Sequence, residues 1–228
     1  MNQPKLAARF SLAAAAMFFL LVALQLGTGA SQHFFELVHS PGEYAAQLVA
    51  KGSALQGIIA IDDVFIGIYV GAAVFALACF PASWARSLAV AAVIMAGLLD
   101  LEENHHLLSL LAAAQAGIEI PASDLIRRMD LSSVKWGLGH LGFFFFALAT
   151  PGEIALAKAF RGLTIYLQLP LGVAGVVYGD LLWLQLLRAF NLFAGFLLVA
   201  VLLARLYGGA VGSGVRASPR DTTPAAVG

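Results

Sequence analysis

Charge is scarce in this chain. Charged residues make up 11% of its 228 positions and apolar ones 61%, whereas an ordinary soluble domain is roughly 25% charged. A soluble fold of this length would need a charged surface that the sequence does not have. Lysine and arginine number 13, as do aspartate and glutamate, so the basic excess that nucleic-acid binding demands is absent. The single cysteine, Cys79, excludes an internal disulfide. Long apolar runs dominate what remains, and the solvent they suit is lipid.

Six segments reach or approach the ~20 apolar residues that cross a hydrocarbon core. They are about 10–30, 56–80, 87–112, 133–150, 163–177 and 189–207. The expected fold is all-α, a polytopic transmembrane helical bundle of about six spans forming one domain over residues 1–207. The fourth span is short, and Thr150-Pro151-Gly152-Glu153 explains why. It reads as a capping box with proline at the first helical position. A separate surface helix up to about Phe160, or a kinked continuation, should follow. Tyr178-Gly179-Asp180 is the expected turn before the last span, with 181–188 either an interfacial helix or the start of that span.

Between the spans, 32–55 places Phe34, Phe35, Leu37 and Val38, then Tyr44, Leu48 and Val49, around Pro41-Gly42. This pattern predicts two short amphipathic outer helices. Residues 118–131 predict another around Asp124–Met129. The tail, 208–228, is rich in Gly, Ala, Ser, Thr and Pro and lacks periodicity, as a disordered segment does.

Basic residues alternate along the chain. Lys5, Arg9, Arg86, Lys158, Arg161, Arg205, Arg216 and Arg220 fall on one side; Lys51, Arg127, Arg128, Lys135 and Arg188 fall on the other, among six acids. The positive-inside rule then puts both termini in the cytoplasm of a multi-pass cell-membrane protein. Lys5, Arg9, the apolar run and Thr28-Gly29-Ala30 also resemble a signal peptide. Its apolar stretch exceeds the usual length, which favours a retained span.

Within this apolar chain, Asp100-Leu101-Glu102-Glu103-Asn104-His105-His106 stands out. Ionisable groups at membrane depth cost free energy unless partnered. At 1.5 Å per residue, Asp100 lies about 18 Å inside the third span, near the midplane. Asp100, Glu103, Asn104 and Leu107 share one stripe, while Glu102 and His106 share an adjacent one. On the second span Asp62, Ile66 and Tyr69 line one face, with Asp63 beside them. The fourth span supplies Lys135 and His140, and Gly139 and Gly142 allow close approach of a neighbour. Spans two to four should therefore surround an acidic pocket open to the outside. Asp62, Asp63, Asp100, Glu102 and Glu103 outnumber Lys135, so protons, a charged histidine or a bound cation are expected there.

Each group also has a plainer reading. Asp62 or Asp63 would cap a helix or face interfacial water, and Lys135-Trp136 would be a headgroup anchor. Asp100 would make a structural salt bridge, and Tyr69, Trp84 and Trp183 would pack or form a belt.

Asp63 through Tyr69, Asp100-x-x-Glu103-Asn104 and Lys135-Trp136 together are similar to a pattern in uncharacterised bacterial integral membrane proteins of about this size. The resemblance covers about residues 57–149. It implies that Asp63, Tyr69, Asp100, Glu103, Asn104 and Lys135 belong to one site, and it implies no activity. Asp62, Glu102, His105 and His106 have no place in it.

The functional expectation is a carrier or sensor with lipid around it and a small polar ligand, cation or proton in its pocket. One alternative is an intramembrane metal-dependent hydrolase of the alkaline ceramidase type, with His105, His106 and His140 as candidate ligands. A catalytic zinc needs three protein ligands in fixed geometry, yet adjacent helical histidines point about 100° apart, and no HExxH occurs. The other alternative is a structural protein whose charges fix helix register. No cofactor is indicated.

The orientation has a direct check. Reporters fused after Gly228 and inserted near Ser83 should both report cytoplasm, and one near Ser123 should report the outside. A cytoplasmic signal at Ser123 would invert the assignment.

Overall fold

The computed structural model describes residues 3–37, 39–152, 154–178 and 181–208. Among them the chain forms six long α-helices and one short 3-10 helix, and no strand. The helices are α1 (Gln3–Thr28), α2 (Pro41–Ala78), α3 (Trp84–Gln115), α4 (Ala122–Ala149), α5 (Ala155–Val177) and α6 (Leu182–Tyr207). Each is long and apolar enough to cross a membrane. The protein is an integral membrane protein with a six-span helical bundle.

Local chemistry sets the helix ends. Ser40 Oγ accepts the Glu43 N–H at 3.3 Å, with Pro41 opening α2 and Glu43 in its first turn. Ser83 Oγ caps α3 by accepting the Arg86 N–H at 3.2 Å. At the far end of α3, Gly117 takes φ +71°. Its N–H reaches the Ala114 carbonyl at 3.1 Å, and that of Ile118 the Ala113 carbonyl at 2.9 Å. This pairing is a Schellman stop, which needs the left-handed backbone that glycine supplies most easily.

The packing shows an up-and-down course. Ala7, Ala76, Ala85, Phe146, Ala157 and Leu203 meet in one apolar cluster. They come alternately from the starts and ends of successive helices, so each helix reverses the last. Around the bundle α1 packs on α2 and α6, α2 on α3, α3 on α4 and α4 on α5, while α5 and α6 touch more sparingly. Phe19, Leu26, Tyr166 and Val173 are among the large side chains left exposed, as a lipid-facing belt requires.

Several expected boundaries move. The 3-10 helix (Gln32–Glu36) takes the place of the first amphipathic outer helix. The second is the beginning of α2, which at 38 residues runs about 57 Å. The predicted helix at Asp124–Met129 is likewise the first part of α4. Their apolar faces do not lie on lipid; Tyr44, Leu48, Leu55, Leu107, Leu111 and Leu125 pack on one another and on Phe35. No separate surface helix follows Pro151: α5 starts at Ala155 and runs through Pro170 to Val177. Residues 181–188 are the cap and first turns of α6. Glu153, Gly179, Asp180 and the tail from 209 lie outside the described residues.

Close approach falls at one of the two expected glycines. Gly142 meets the backbone and side chain of Val93, but Gly139 has open space where a Cβ would stand. The tight contact between α2 and α3 is at Gly97, where a Cβ would come within 2.6 Å of Val70.

Candidate functional site

One turn before Leu107, the α3 stripe becomes polar. Glu103 and Asn104 are buried, and Asp100 is partly so. The helical period that put Leu107 in the core aims these three inward with it. Glu102 points the other way and makes an exposed pair with Arg127 at 3.0 Å, a contact worth little in solvent.

Asn104 joins α3 to α2. Its Nδ2 donates to Asp62 Oδ2 and to Asp63 Oδ1, both at 2.9 Å. From the 3-10 helix, Gln32 Nε2 donates to Asp62 Oδ2 at 3.2 Å and to Asn104 Oδ1 at 3.3 Å. Tyr69, two turns along α2, donates its hydroxyl to Asp100 Oδ2 at 3.2 Å.

Lys135 joins α4 to the same group. Its Nζ lies 3.0 Å from Asp100 Oδ1 and 3.2 Å from Glu36 Oε1, and it also pairs with Glu103 Oε2. The headgroup-anchor reading is thereby corrected, because the ammonium turns into the bundle towards three carboxylates. Trp136, the other half of that anchor, donates its indole N–H to Glu36 Oε2 at 3.3 Å.

Arg128, one turn before Ser132 and two before Lys135, is 1% exposed. It pairs with Glu103 Oε1 at 3.1 Å, and donates from Nη1 to the Glu103 carbonyl at 2.7 Å and from Nε to the Phe35 carbonyl at 2.8 Å. These bonds tie the 3-10 helix to α3 and α4. That anchoring presents Glu36 to Lys135. Burial by itself would push the Glu36 carboxyl upward, but Lys135, His33 and Arg128 outweigh it and hold it well below the usual carboxylate range.

These groups surround a chamber of about 300 Å³ between the 3-10 helix and α1, α2, α3, α4 and α6. Glu36, Asp62, Asp100 and Glu103 supply its carboxylates, and Arg128, Lys135 and Arg188 its cations. Beside it lies a vestibule of about 440 Å³ between the 3-10 helix and the adjoining parts of α4, α5 and α6. His33, Glu36, Trp136, Gln185 and Arg188 line both spaces. The expected balance of five acids against one lysine is thus revised, since two arginines join from segments the sequence reading left at the surface.

Of the sequence candidates, Asp62, Tyr69, Asp100, Glu103, Asn104 and Lys135 come together, and Asp63 joins through Asn104. His140 does not. Its Nδ1 bonds Gln168 Oε1 on α5 at 3.0 Å, and Gln168 Nε2 donates onward to Asn191 on α6 at 3.1 Å. His105 is exposed and His106 half-buried. Among the described residues no three His, Cys, Asp or Glu side chains group so as to hold a metal ion.

The residues that sequence reasoning missed are Gln32, Glu36, Arg128, Trp136 and Arg188. A faint signal existed for two of them. Glu36 stands alone between Phe35 and Leu37, and Arg188 is the lone charge within the apolar run from Leu181 to Phe190.

Removing the lysine should be costly. Lys135→Ala leaves the buried Glu103 and the partly buried Glu36 and Asp100 without their shared cation, a change of the kind that typically costs about 3–5 kcal/mol. Unfolding in detergent should show that loss, and adding Asp100→Asn should recover part of it. Purely additive losses would sever the coupling.

Glu36 gives a pH signature. A carboxyl whose folded pKa is depressed contributes stability above its unfolded pKa of about 4.3 and loses it as pH falls towards the folded value. The gap in Tm between the parent and Glu36→Gln should therefore be widest near pH 7 and narrow progressively as pH falls below about 4. A gap independent of pH would show that the Glu36 charge contributes nothing.

Comparison with protein-family models, curated proteins and solved structures gives no match for this chain.

Proposed function

We propose that this membrane protein binds a small polar solute or cation in the chamber on α2, α3 and α4, as a carrier or a sensor. The observation that supports this reading is the chamber itself. A cluster serving only helix register would pack shut, whereas here Asp62, Asp100, Glu103 and Lys135 line about 300 Å³ of open volume between span-forming helices. Charged side chains within membrane spans face a pathway or a ligand site by default.

The basic bias of the sequence supports cytoplasmic termini and a chamber open to the outside of the cell membrane. Three of the five basic residues on the chamber side, Arg128, Lys135 and Arg188, turn inward. That leaves the exposed charge still more heavily on the terminal side. The resemblance to bacterial membrane proteins supports treating Asp63, Tyr69, Asp100, Glu103, Asn104 and Lys135 as one unit. The hydrolase reading draws no support from the placement of His105, His106 and His140, which lie apart.

The test is ligand-induced stabilisation of the purified protein against protons, alkali cations, amines, amino acids and polyols. A solute that binds only the folded state stabilises by about 2.7 kcal/mol at a hundred times its Kd. At least one class should raise Tm, and Ala189→Phe, which fills the chamber from α6, should abolish the rise. A screen in which no class raises Tm would reject the proposal in favour of a structural role.

A further inference from the structure

Most charges in the chamber wall are held in ion pairs, three carboxylates sharing two cations. Glu36 pairs with Lys135, Asp100 with Lys135, and Glu103 with both Lys135 and Arg128. Among the described residues two wall charges have no ion pair, Asp62 on α2 and Arg188 on α6. They are of opposite sign.

Arg188 is 5% exposed and rigidly seated. Its guanidinium lies 3.7 Å from the centre of the Trp136 ring. On its other side it meets α5 at Gly175, where a Cβ would stand only 3.0 Å from Nε. Nη1 donates to Gln185 at 3.2 Å, Nε has no hydrogen-bond partner, and Nη2 makes no hydrogen bond among the described residues. A guanidinium out of water without a counter-ion is costly, and the planar fork matches a carboxylate. It borders both the chamber and the vestibule, so an anionic group arriving by either space meets it.

Asp62 is the complementary case. Asn104 and Gln32 both donate to its Oδ2, which orients the carboxylate, and Oδ1 makes no hydrogen bond among the described residues. Neutral amides fix the group but leave its charge uncompensated.

We infer that the solute is a small zwitterion, with its carboxylate on Arg188 and its ammonium on Asp62. This rests on the reading of the chamber as a solute site and names the class of solute. Such a molecule, an amino acid or a betaine, satisfies both unpaired charges at once and changes the net charge of the chamber by nothing. Leu182, Leu186, Ala189 and Leu192 on the same wall suit its apolar part.

The experiment compares glycine betaine and glycine with choline, which keeps only the cationic end, and acetate, which keeps only the anionic one. Binding to the full chain in detergent is read by calorimetry, with the rise in Tm as a second readout. At least one zwitterion should bind tenfold or more tightly than either half. Arg188→Gln should bring betaine down to the level of choline, and Asp62→Asn should bring it down to that of acetate. Arg188→Lys, which keeps the charge but loses the fork and the ring contact, should also lose most of the preference and serves if Arg188→Gln does not fold.

Choline binding as tightly as betaine would overturn the role of Arg188, and acetate doing so would overturn that of Asp62. Binding of metal cations or polyols alone would overturn the zwitterion while leaving a solute site in place. No binding by any probe, here and in the broader screen, would remove the solute site itself.

Discussion

The Lys135 ammonium is the contact around which the polar layer is organised. It lies among carboxylates from α3 and from the 3-10 helix, so one cation on α4 fixes the positions of two other elements. In low dielectric, three carboxylates cannot all stay ionised together without such a charge. Arg128 repeats the arrangement nearby, bonding Glu103 and the Phe35 carbonyl. An ion cluster of this kind need not exceed apolar packing in stability, yet losing one member leaves the others stranded. Register is therefore tightly specified at this depth. An apolar cluster of Tyr44, Leu48, Leu107 and Leu111 borders the layer on one side.

The chamber has a simple physical origin. The acids of α2 and α3 share the chamber with α6, which lines it with Leu182, Leu186, Ala189 and Leu192 and gives it a single charge, Arg188. Apolar side chains cannot satisfy carboxylates, and the polar layer stays open. The sparse contact between α5 and α6 gives the same region its vestibule. Arg188, stacked on Trp136 where the two spaces meet, belongs to both.

Much of this was legible in the sequence, and the parts that were not share a cause. The stripe of Asp100, Glu103 and Asn104 follows from helical period alone, and their burial agrees with it. The pairing of Lys135 with Asp100 could be anticipated because few cations lie at that depth. Glu36, Arg128 and Arg188 could not, since each sits in a segment that reads as surface. Arg127 and Arg128 are adjacent, and one pairs with an exposed glutamate while the other is buried. Composition treats them alike. Only their directions on α4 differ. In the same way the amphipathic faces at 41–55 and 122–131 suggested helices lying on lipid, whereas their apolar sides cover one another.

By itself the sequence determined the solvent, the number of spans, their alternation and the inward polar face of α3. Each follows from local rules: apolar length against bilayer thickness, and a period of 3.6 residues. The tertiary structure decided which cations meet which acids, that Glu36 joins the site, and that Asp62 and Arg188 alone among the described wall charges lack an ion pair. The bonds that bring Glu36 into the site join residues 93 to 100 positions apart, from Phe35 and Glu36 to Arg128, Lys135 and Trp136. No local pattern encodes contacts at that separation, because they depend on which helices become neighbours and on how each is turned.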